Sequence, residues 1–237
     1  MRITSLCSLT KNQRLYDDNS TIKDIQTYLG AGRVYRLTKN YRNTLPIARL
    51  AKEFYTGLAS GVPDLPTRLG PKPTPWLGRT FEDQVYRIIK YARNNPDRTM
   101  GVIVPDWKLQ HRAYEIIMQY NARCPVQMYT TGDTRHMKYT PRAYGYTPFR
   151  HVDFKKPGIL IINYQTAKGL EFDTVFLAGL ESRVPSQRTD LERMRYYVLT
   201  ARARDELYLV FSGNDWPPML KDIPRNELLN LPQPAAA

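Results

Sequence analysis

Cysteine is scarce in this sequence, which contains only Cys7 and Cys124. The two thiols lie far apart and in no spacing typical of metal ligands, so the sequence argues against both a disulfide framework and a zinc site. A protein without structural disulfides suits a reducing compartment. We therefore expect an intracellular, cytoplasmic protein whose own side chains hold no metal.

Long apolar runs are also missing from the chain. No run approaches the roughly 20 residues that cross a bilayer, and the apolar part of the amino terminus is too short for a signal peptide. The mean hydropathy is −0.53, and 42% hydrophobic residues are enough to bury a core. A length of 237 residues allows one large domain or two small ones. We interpret residues 1–237 as one soluble domain, without membrane contact, that carries an insertion at 130–157.

Acidic residues are outnumbered, because 22 Asp and Glu face 35 Lys and Arg and leave a net charge of +13. The isoelectric point near 9.7 reflects a positive field that attracts polyanions. A phosphate-rich partner, nucleic acid in the first place, is therefore favoured over a basic surface that is merely solvated.

A P-loop is excluded, because it requires a Gly-Lys dipeptide and the chain has none. No apolar run ends in the Asp-Glu pair that could hold Mg²⁺ and orient an attacking water. We therefore expect that the chain does not hydrolyse ATP by itself.

What is present is an alternation of short apolar runs with segments of helical period. The runs that predict strands are residues 34–37, 100–104, 158–162, 174–179 and 207–211. Such alternation predicts an α/β fold in which a parallel sheet is flanked by crossover helices.

Apolar residues recur at helical spacing over 81–92, 109–120 and 47–54. Asn43 or Thr44 could cap the helix at 47–54. Thr189 and Glu192 form the pattern of a capping box, which predicts a helix through Ala203, and we interpret the whole of 190–207 as helical.

Two stretches interrupt this alternation. Residues 61–76 hold five prolines and are typical of an extended linker between a helix and a strand. Residues 135–156 carry six Lys and Arg interleaved with aromatic rings, which fits a groove that follows phosphates while the rings stack on bases. The alternative is a loop whose tyrosines pack on the domain. The candidate DNA contacts in this stretch are Lys138, Arg142 and Tyr144.

Four short motifs contain candidate site residues. In AKGLEF (167–172) the glycine permits a tight turn, and Glu171 can accept hydrogen bonds from a sugar hydroxyl, although a surface turn explains the motif equally well. In TARAR (200–204) the arginines lie two apart and face different directions. One of them could stabilise charge on a transferring phosphoryl group. The alternative is that both are ordinary surface arginines whose charge is solvated.

The other two motifs lie nearer the amino terminus. LTKNYRNT (37–44) places the Tyr41 ring beside the Arg42 guanidinium, a pair that suits a base and its phosphates. NQRLYD (12–17) presents Gln13 after an apparent strand, where the amide could sense a phosphate or a water, or simply lie in a turn.

In this order, the four motifs resemble the later motifs of superfamily 1 DNA helicases of the UvrD/Rep type, from about Asn12 to Val210. The resemblance implies the second, RecA-like lobe of such a helicase, which has a P-loop NTPase fold without a Walker A motif of its own. It implies a role for each of several residues. At the nucleotide, Tyr41 would stack on adenine, and Glu171 would contact the ribose beside Lys168 and Gly169. Arg42 would reach the γ-phosphate, and Arg202 would be the arginine finger, with Arg204 as an ion-pair partner nearby. Gln13 would couple nucleotide state to DNA, and Asn163 and Gln165 would contact DNA.

The sequence departs from the family pattern at three positions. Thr10 replaces an aspartate, Gln165 replaces a histidine before the AKGLEF turn, and Ala201 replaces a threonine before the proposed finger. These changes weaken contacts to metal, DNA or neighbouring motifs but leave both γ-phosphate arginines in place. The stretch between Arg42 and Asn163 is also too short for a large auxiliary subdomain, so we expect a compact lobe.

The sequence thus predicts half of an active site. In the helicase family, ATP with Mg²⁺ binds between a P-loop lobe and this second lobe, and Met1 lies just upstream of the Gln13 motif. We expect the first lobe on the parent chain or on another polypeptide, with single-stranded DNA as the further partner. The alternatives are a non-enzymatic DNA-binding or scaffold subunit derived from a helicase and, third, a lobe of an ATP-dependent nuclease complex.

Overall fold

The structure is a computed structural model that describes Thr27 and residues 42–57, 61–129, 152–182, 189–213 and 215–229. Within these residues, short runs rich in Val, Ile, Leu and Phe form six strands of a single sheet. They are β1 Thr74–Gly78, β2 Thr99–Val104, β3 Val126–Met128, β4 Gly158–Asn163, β5 Phe172–Leu177 and β6 Ala203–Ser212.

The sheet has the order β1-β6-β5-β2-β4-β3, and each neighbouring pair is parallel. All six residues of β4 are buried, as are five of the six in β2. A parallel sheet is covered by helices on both faces, which explains why its central strands are mainly apolar. The predicted α/β class with a parallel sheet is confirmed.

Helices fill the connections between the strands. Their bounds are α1 Leu45–Glu53, α2 Phe81–Asn94, α3 Trp107–Tyr120, α4 Thr189–Thr200 and a short α5 Pro218–Lys221, with 3₁₀ turns at Leu180–Ser182 and Arg225–Glu227. None of these helices is long and apolar enough to cross a membrane, as far as the described residues show.

Side-chain caps start two of the helices. The Thr80 hydroxyl accepts from the Asp83 amide at 3.1 Å and the Asp83 carboxylate accepts from the Thr80 amide at 3.2 Å, a reciprocal capping box for α2. The Asp106 carboxylate accepts from the Leu109 amide at 3.0 Å at the start of α3.

Each face of the sheet carries its own core. On one face, α1 and α4 contribute Ile47, Leu50, Tyr196 and Leu199, which pack with Ile162, Val175 and Leu209 of the strands. On the other face, α2 and α3 contribute Val85, Ile88, Ala113 and Ile117, which pack with Val102, Ile161 and Phe176. The apolar stripes that predicted these helices are therefore the core-facing sides.

One predicted helix is wrong at its carboxyl end. Helix α4 stops at Thr200, and the ten-residue strand β6 begins at Ala203, inside the segment 190–207 that was interpreted as helical. The strand pairs with β1 on one side and with β5 on the other. Residues 203–207 pair with β5, and the ladder hydrogen bonds of this pairing outweigh the local helical preference.

Strands β1 and β3 were not predicted, since one contains Pro75 and the other is only three residues long. They are the two edge strands among the described strands. An edge strand pairs on one side only, so it tolerates a proline or a short length. The predicted strand 34–37 lies outside the described residues. The proposed insertion falls between β3 and β4 with only 152–157 described, so the division of the chain stays a prediction.

Candidate functional site

Three predicted site residues converge at the amino-terminal ends of β5 and β6. Glu171 immediately precedes β5, Arg202 immediately precedes β6, and Arg42 lies three residues before α1. Because β5 and β6 are parallel neighbours with Phe172 opposite Ala203, the residues just before them lie side by side. The topology thus brings Arg42 close to two residues that lie more than a hundred positions later in the sequence.

Arg42 and Glu171 form an ion pair in which Nε lies 2.6 Å from Oε1. Their side chains are 33% and 42% exposed. An ion pair with this access to solvent contributes at most about 1 kcal/mol. A more highly charged anion can therefore replace the carboxylate at little cost.

Arg202 has a different environment, because only 1% of its surface is exposed. Its Nε donates to the Val198 carbonyl at 2.9 Å and its Nη1 donates to the Leu170 carbonyl at 3.2 Å. Burial first, and then the nearby Arg42 cation, lower the pKa of Arg202 to about 10, while Glu171 and Tyr197 act in the opposite direction. The guanidinium is therefore charged at neutral pH but poorly solvated.

The charges at this edge are unbalanced. Within the described residues no carboxylate lies within 4.0 Å of the Arg202 guanidinium, and Glu171 is the carboxylate that pairs with Arg42. Among the described residues, two cations and one carboxylate leave surplus positive charge, partly shielded from water, which favours an anionic ligand.

The two arginines of the TARAR motif have different surroundings, as predicted. They lie on a turn and a strand, however, and not on one helix. Arg202 occupies the turn between α4 and β6, where its carbonyl accepts from the Phe172 amide at 3.0 Å. Arg204 lies on β6 with its side chain 52% exposed, and its Nη1 is 3.5 Å from Asp173 Oδ1. The buried arginine faces the site and the exposed one forms a surface ion pair.

Lys168 and Gly169 lie exposed in the loop that joins β4 to β5. Gly169 has a φ of +82°, and a Cβ there would meet no heavy atom within 4 Å. Glycine is therefore required by the backbone conformation and not by a close neighbour. A nucleotide contact for either residue stays a prediction.

Asn163 was expected to contact DNA, and that contact stays a prediction. Asn163 is 6% exposed, its Oδ1 accepts from the amides of Gln165 at 3.0 Å and Thr166 at 3.2 Å, and its Nδ2 donates to Gln110 at 3.0 Å. Its side chain is engaged in shaping the turn after β4. Gln165 lies at this turn with its surface exposed, so the predicted DNA contact remains a prediction for Gln165.

Several predicted residues lie outside the described part of the chain, namely Gln13, Tyr41, Lys138, Arg142 and Tyr144. Of the basic aromatic stretch, only 152–156 are described. There the Phe154 ring packs edge-on against Tyr129 with centroids 5.4 Å apart. This one ring follows the alternative interpretation, in which aromatic side chains of the stretch pack on the domain.

Sequence reasoning missed two residues beside the site. Arg68 was included in a linker and Asn43 was considered only as a helix cap, yet both donate to backbone carbonyls next to the site arginines. Their partners are more than 20 residues away in the sequence, so no local pattern signals these contacts.

The side chains at this edge fit the terminal phosphate of a nucleotide better than they fit a metal. Two guanidinium groups offer several N–H donors to phosphate oxygens. No group of three or more His, Cys, Asp and Glu that could hold a metal ion occurs among the described residues.

Comparisons with known proteins show what this α/β fold and its arginine edge are similar to. Residues 148–214 match the UvrD-like helicase C-terminal domain. This range includes Glu171, Arg202 and strands β4 to β6, so the predicted resemblance is confirmed over these residues. A search of curated protein sequences finds no significant match.

One of the solved structures compared shares the fold. The C-terminal domain of a possible DNA helicase from Lactobacillus plantarum has a TM-score of 0.55 and 23% identity, and the match covers 80% of this chain and 97% of that one. A helicase from an arterivirus, nonstructural protein 10, solved with DNA, has a TM-score of 0.39 and 13% identity over 67% of this chain and 35% of that chain. The RecA-like fold prediction is confirmed by the first structure.

Proposed function

We propose that this chain is the C-terminal lobe of an ATP-dependent DNA helicase or translocase. In this proposal Arg42 and Arg202 reach the γ-phosphate of ATP held by a P-loop lobe that this sequence does not contain. The observation that carries the proposal is the convergence of two guanidinium groups, one of them buried, with the Glu171 carboxylate at one edge of the sheet. The helicase family match over the same edge supports it.

The two arginines would act in different ways. Arg42 would exchange Glu171 for a phosphate oxygen, since its present ion pair is exposed and weak. Arg202 would offer a cation that is already desolvated and held by two backbone carbonyls, so little reorganisation is needed when charge develops. Bound ATP with Mg²⁺ supplies the phosphoryl group that is transferred to water.

The remaining nucleotide contacts rest on the family resemblance. Glu171, once released from Arg42, would accept a hydrogen bond from a ribose hydroxyl. Tyr41 would stack on adenine, Gln13 would couple nucleotide state to DNA, and the Lys168–Gly169 turn would lie beside the sugar.

Single-stranded DNA is the proposed second partner. The net charge of +13 favours a polyanion, and Gln165 presents an exposed amide after β4. Lys138, Arg142 and Tyr144 would extend the contact. If the Arg142→Ala, Tyr144→Ala double variant binds oligo(dT) as tightly as the wild type in a fluorescence anisotropy titration, these two residues take no part in DNA binding.

The proposed function is tested by adding a P-loop lobe and measuring DNA-stimulated ATP hydrolysis. We expect Arg202→Ala to lower kcat by about a thousandfold, at the lower end of the range for arginine fingers. Arg204→Ala is the matched control, because it removes an exposed guanidinium two residues away, and its kcat should stay near that of the wild type. Arg42→Ala provides a second site variant at a more exposed position.

Two outcomes would contradict this function. One is that no P-loop lobe restores ATP hydrolysis, and the other is that Arg202→Ala and Arg204→Ala behave alike. In either case a scaffold or DNA-binding subunit derived from a helicase is the better conclusion. The replacements at Thr10, Gln165 and Ala201 favour that second candidate, which predicts DNA binding that ATP does not change.

A further inference from the structure

Arg68 lies in the proline-rich stretch that precedes β1, yet its side chain reaches two distant segments of the site. Its Nη1 is 2.7 Å from Asp205 Oδ1. Its Nη2 donates to the Arg42 carbonyl at 3.0 Å and also to the Arg204 carbonyl. One guanidinium thus joins the backbone that carries Arg42 to the first residues of β6.

Backbone contacts reinforce this junction. The Leu45 amide donates to the Arg68 carbonyl at 2.6 Å, and the Thr44 amide donates to the Arg204 carbonyl at 3.1 Å. The stretch also packs closely, since a Cβ added to Gly70 would lie 2.4 Å from Thr44 Cγ2. Residues 42–45 are therefore held between the proline-rich stretch and β6.

Asn43 fixes the same segment relative to Arg202. Its side chain is 1% exposed, and its Nδ2 donates to the carbonyls of Ala201 at 3.1 Å and Ala203 at 2.5 Å. These two carbonyls flank Arg202 in the sequence. The residue next to Arg42 is thus bonded to the residues on both sides of Arg202.

We propose that Arg68 is a positioning residue, which together with Asn43 holds Arg42 beside Arg202 before any ligand arrives. The identity of the ligand as a γ-phosphate rests on the proposed function, whereas the positioning of Arg42 does not. A preassembled pair binds an anion without first ordering two long side chains, which raises affinity and rate. Lysine could not replace Arg68, because the contacts with three acceptors come from two nitrogens of a rigid guanidinium fork.

A simpler role for Arg68 would be an exposed ion pair with Asp205, since the side chains are 42% and 32% exposed. Such a pair contributes little. The variant Asp205→Asn removes this charge interaction and leaves both carbonyl acceptors of Arg68 in place. It is therefore the matched control for Arg68→Ala, which removes all three contacts.

The experiment follows the arginine Nε–H signals of the ¹⁵N-labelled chain by NMR, with no nucleotide present. The Arg42 signal is assigned by its loss in Arg42→Lys. We expect it to be shifted by the 2.6 Å contact with Glu171 and to persist in Asp205→Asn. It should be lost or strongly shifted in Arg68→Ala and Arg68→Lys. Gly70→Ala should have the same effect, because a Cβ there displaces the stretch from Thr44.

The Arg202 Nε–H signal is the internal control for an intact fold, because its acceptor, the Val198 carbonyl, lies in α4. An Arg42 signal that is unchanged in Arg68→Ala, while the Arg202 signal persists, overturns the positioning role. In the complex with a P-loop lobe, Arg68→Ala should lower kcat by about a hundredfold, the cost of a misplacement of about 1 Å. If Arg68 moves the Arg42 signal but Arg202 is dispensable for ATP hydrolysis, the positioning stands and the proposed function fails.

Discussion

At the scale of single residues, the site is a matter of charge balance. Glu171 is the anion that neutralises Arg42, and it also favours the charged form of the buried Arg202. The carboxylate thus occupies the place that an anionic ligand would take. Because the pair is half-exposed, Glu171 competes only weakly with such a ligand for Arg42.

Removing this carboxylate should improve anion binding. In Glu171→Gln we expect the affinity of the chain for pyrophosphate to rise by roughly two- to fivefold, which corresponds to the loss of one exposed ion pair. Isothermal titration calorimetry at constant ionic strength measures the change. Glu115→Gln on α3 alters the net charge equally at an exposed position on another element, so equal affinities in the two variants would contradict a local role for Glu171.

At the scale of elements, two threonines at helix starts behave differently. Thr80 caps α2 with its side chain, whereas Thr44 occupies the cap position of α1 without a side-chain cap hydrogen bond. The Thr44 hydroxyl is buried and is one of two buried side-chain atoms in the described residues for which no hydrogen bond is found. The same residue type therefore stabilises one helix and carries a desolvation cost at the other.

This difference gives a prediction about stability. Thr80→Ala should lower the free energy of unfolding by about 1 kcal/mol, the usual value for a lost cap. Thr44→Val removes a buried hydroxyl without a partner and keeps the shape, so it should be neutral or stabilising. Urea unfolding followed by circular dichroism measures both, and a loss in Thr44→Val equal to that in Thr80→Ala would show that the Thr44 hydroxyl is bonded after all.

Strand packing next to the site gives a second prediction at this scale. A Cβ added to Gly101 in β2 would lie 2.5 Å from the ring of Phe172, which directly follows Glu171. We expect Gly101→Ala to cost about 1–3 kcal/mol of unfolding free energy through overpacking. Combining it with Phe172→Leu, which replaces the ring by a smaller side chain, should recover part of the lost unfolding free energy in a double-mutant cycle. Strictly additive losses would mean that the two side chains do not clash.

At the scale of the whole molecule, a half-buried polar network influences stability at high pH. Glu206 accepts from Tyr91 at 3.0 Å and from Tyr208 at 2.7 Å, and it pairs with Arg98 at 2.9 Å. Burial, together with Glu206, raises the pKa of Tyr208, and burial raises the pKa of Tyr91 to about 12. Above pH 10 the unfolded chain loses these protons while the folded chain keeps them, so stability falls as pH rises.

Arg202 acts in the opposite direction over the same range. Its pKa of about 10 lies below the ordinary 12.5, so the folded state loses this proton first and stability rises with pH. Two tyrosines oppose one arginine, and we expect a net loss of stability between pH 10 and 12. Tyr91→Phe should make this loss shallower, by at most about 1.4 kcal/mol per pH unit. Urea unfolding from pH 8 to 11.5 tests it, and parallel curves for variant and wild type would contradict it.

Much of the fold could be predicted from the sequence. The apolar runs at 100–104, 158–162 and 174–179 became the central strands β2, β4 and β5, because a strand that is buried on both faces must be apolar throughout. The apolar stripes of α2 and α3 could be predicted in the same way, since helical spacing determines which side chains share a face. The glycine at 169 likewise marked a turn that needs a positive φ.

Tertiary structure decided what depends on distant neighbours. Residues 203–207 form a strand because β5 pairs with them, and local propensity cannot report that pairing. Asn163 became a buried support for its turn, and Arg202 became a buried cation, because burial is set by everything that packs around a residue. The sequence by itself determined the helicase-like motifs and the α/β class, but only the folded chain placed Arg68 and Asn43 where they hold the two site arginines together.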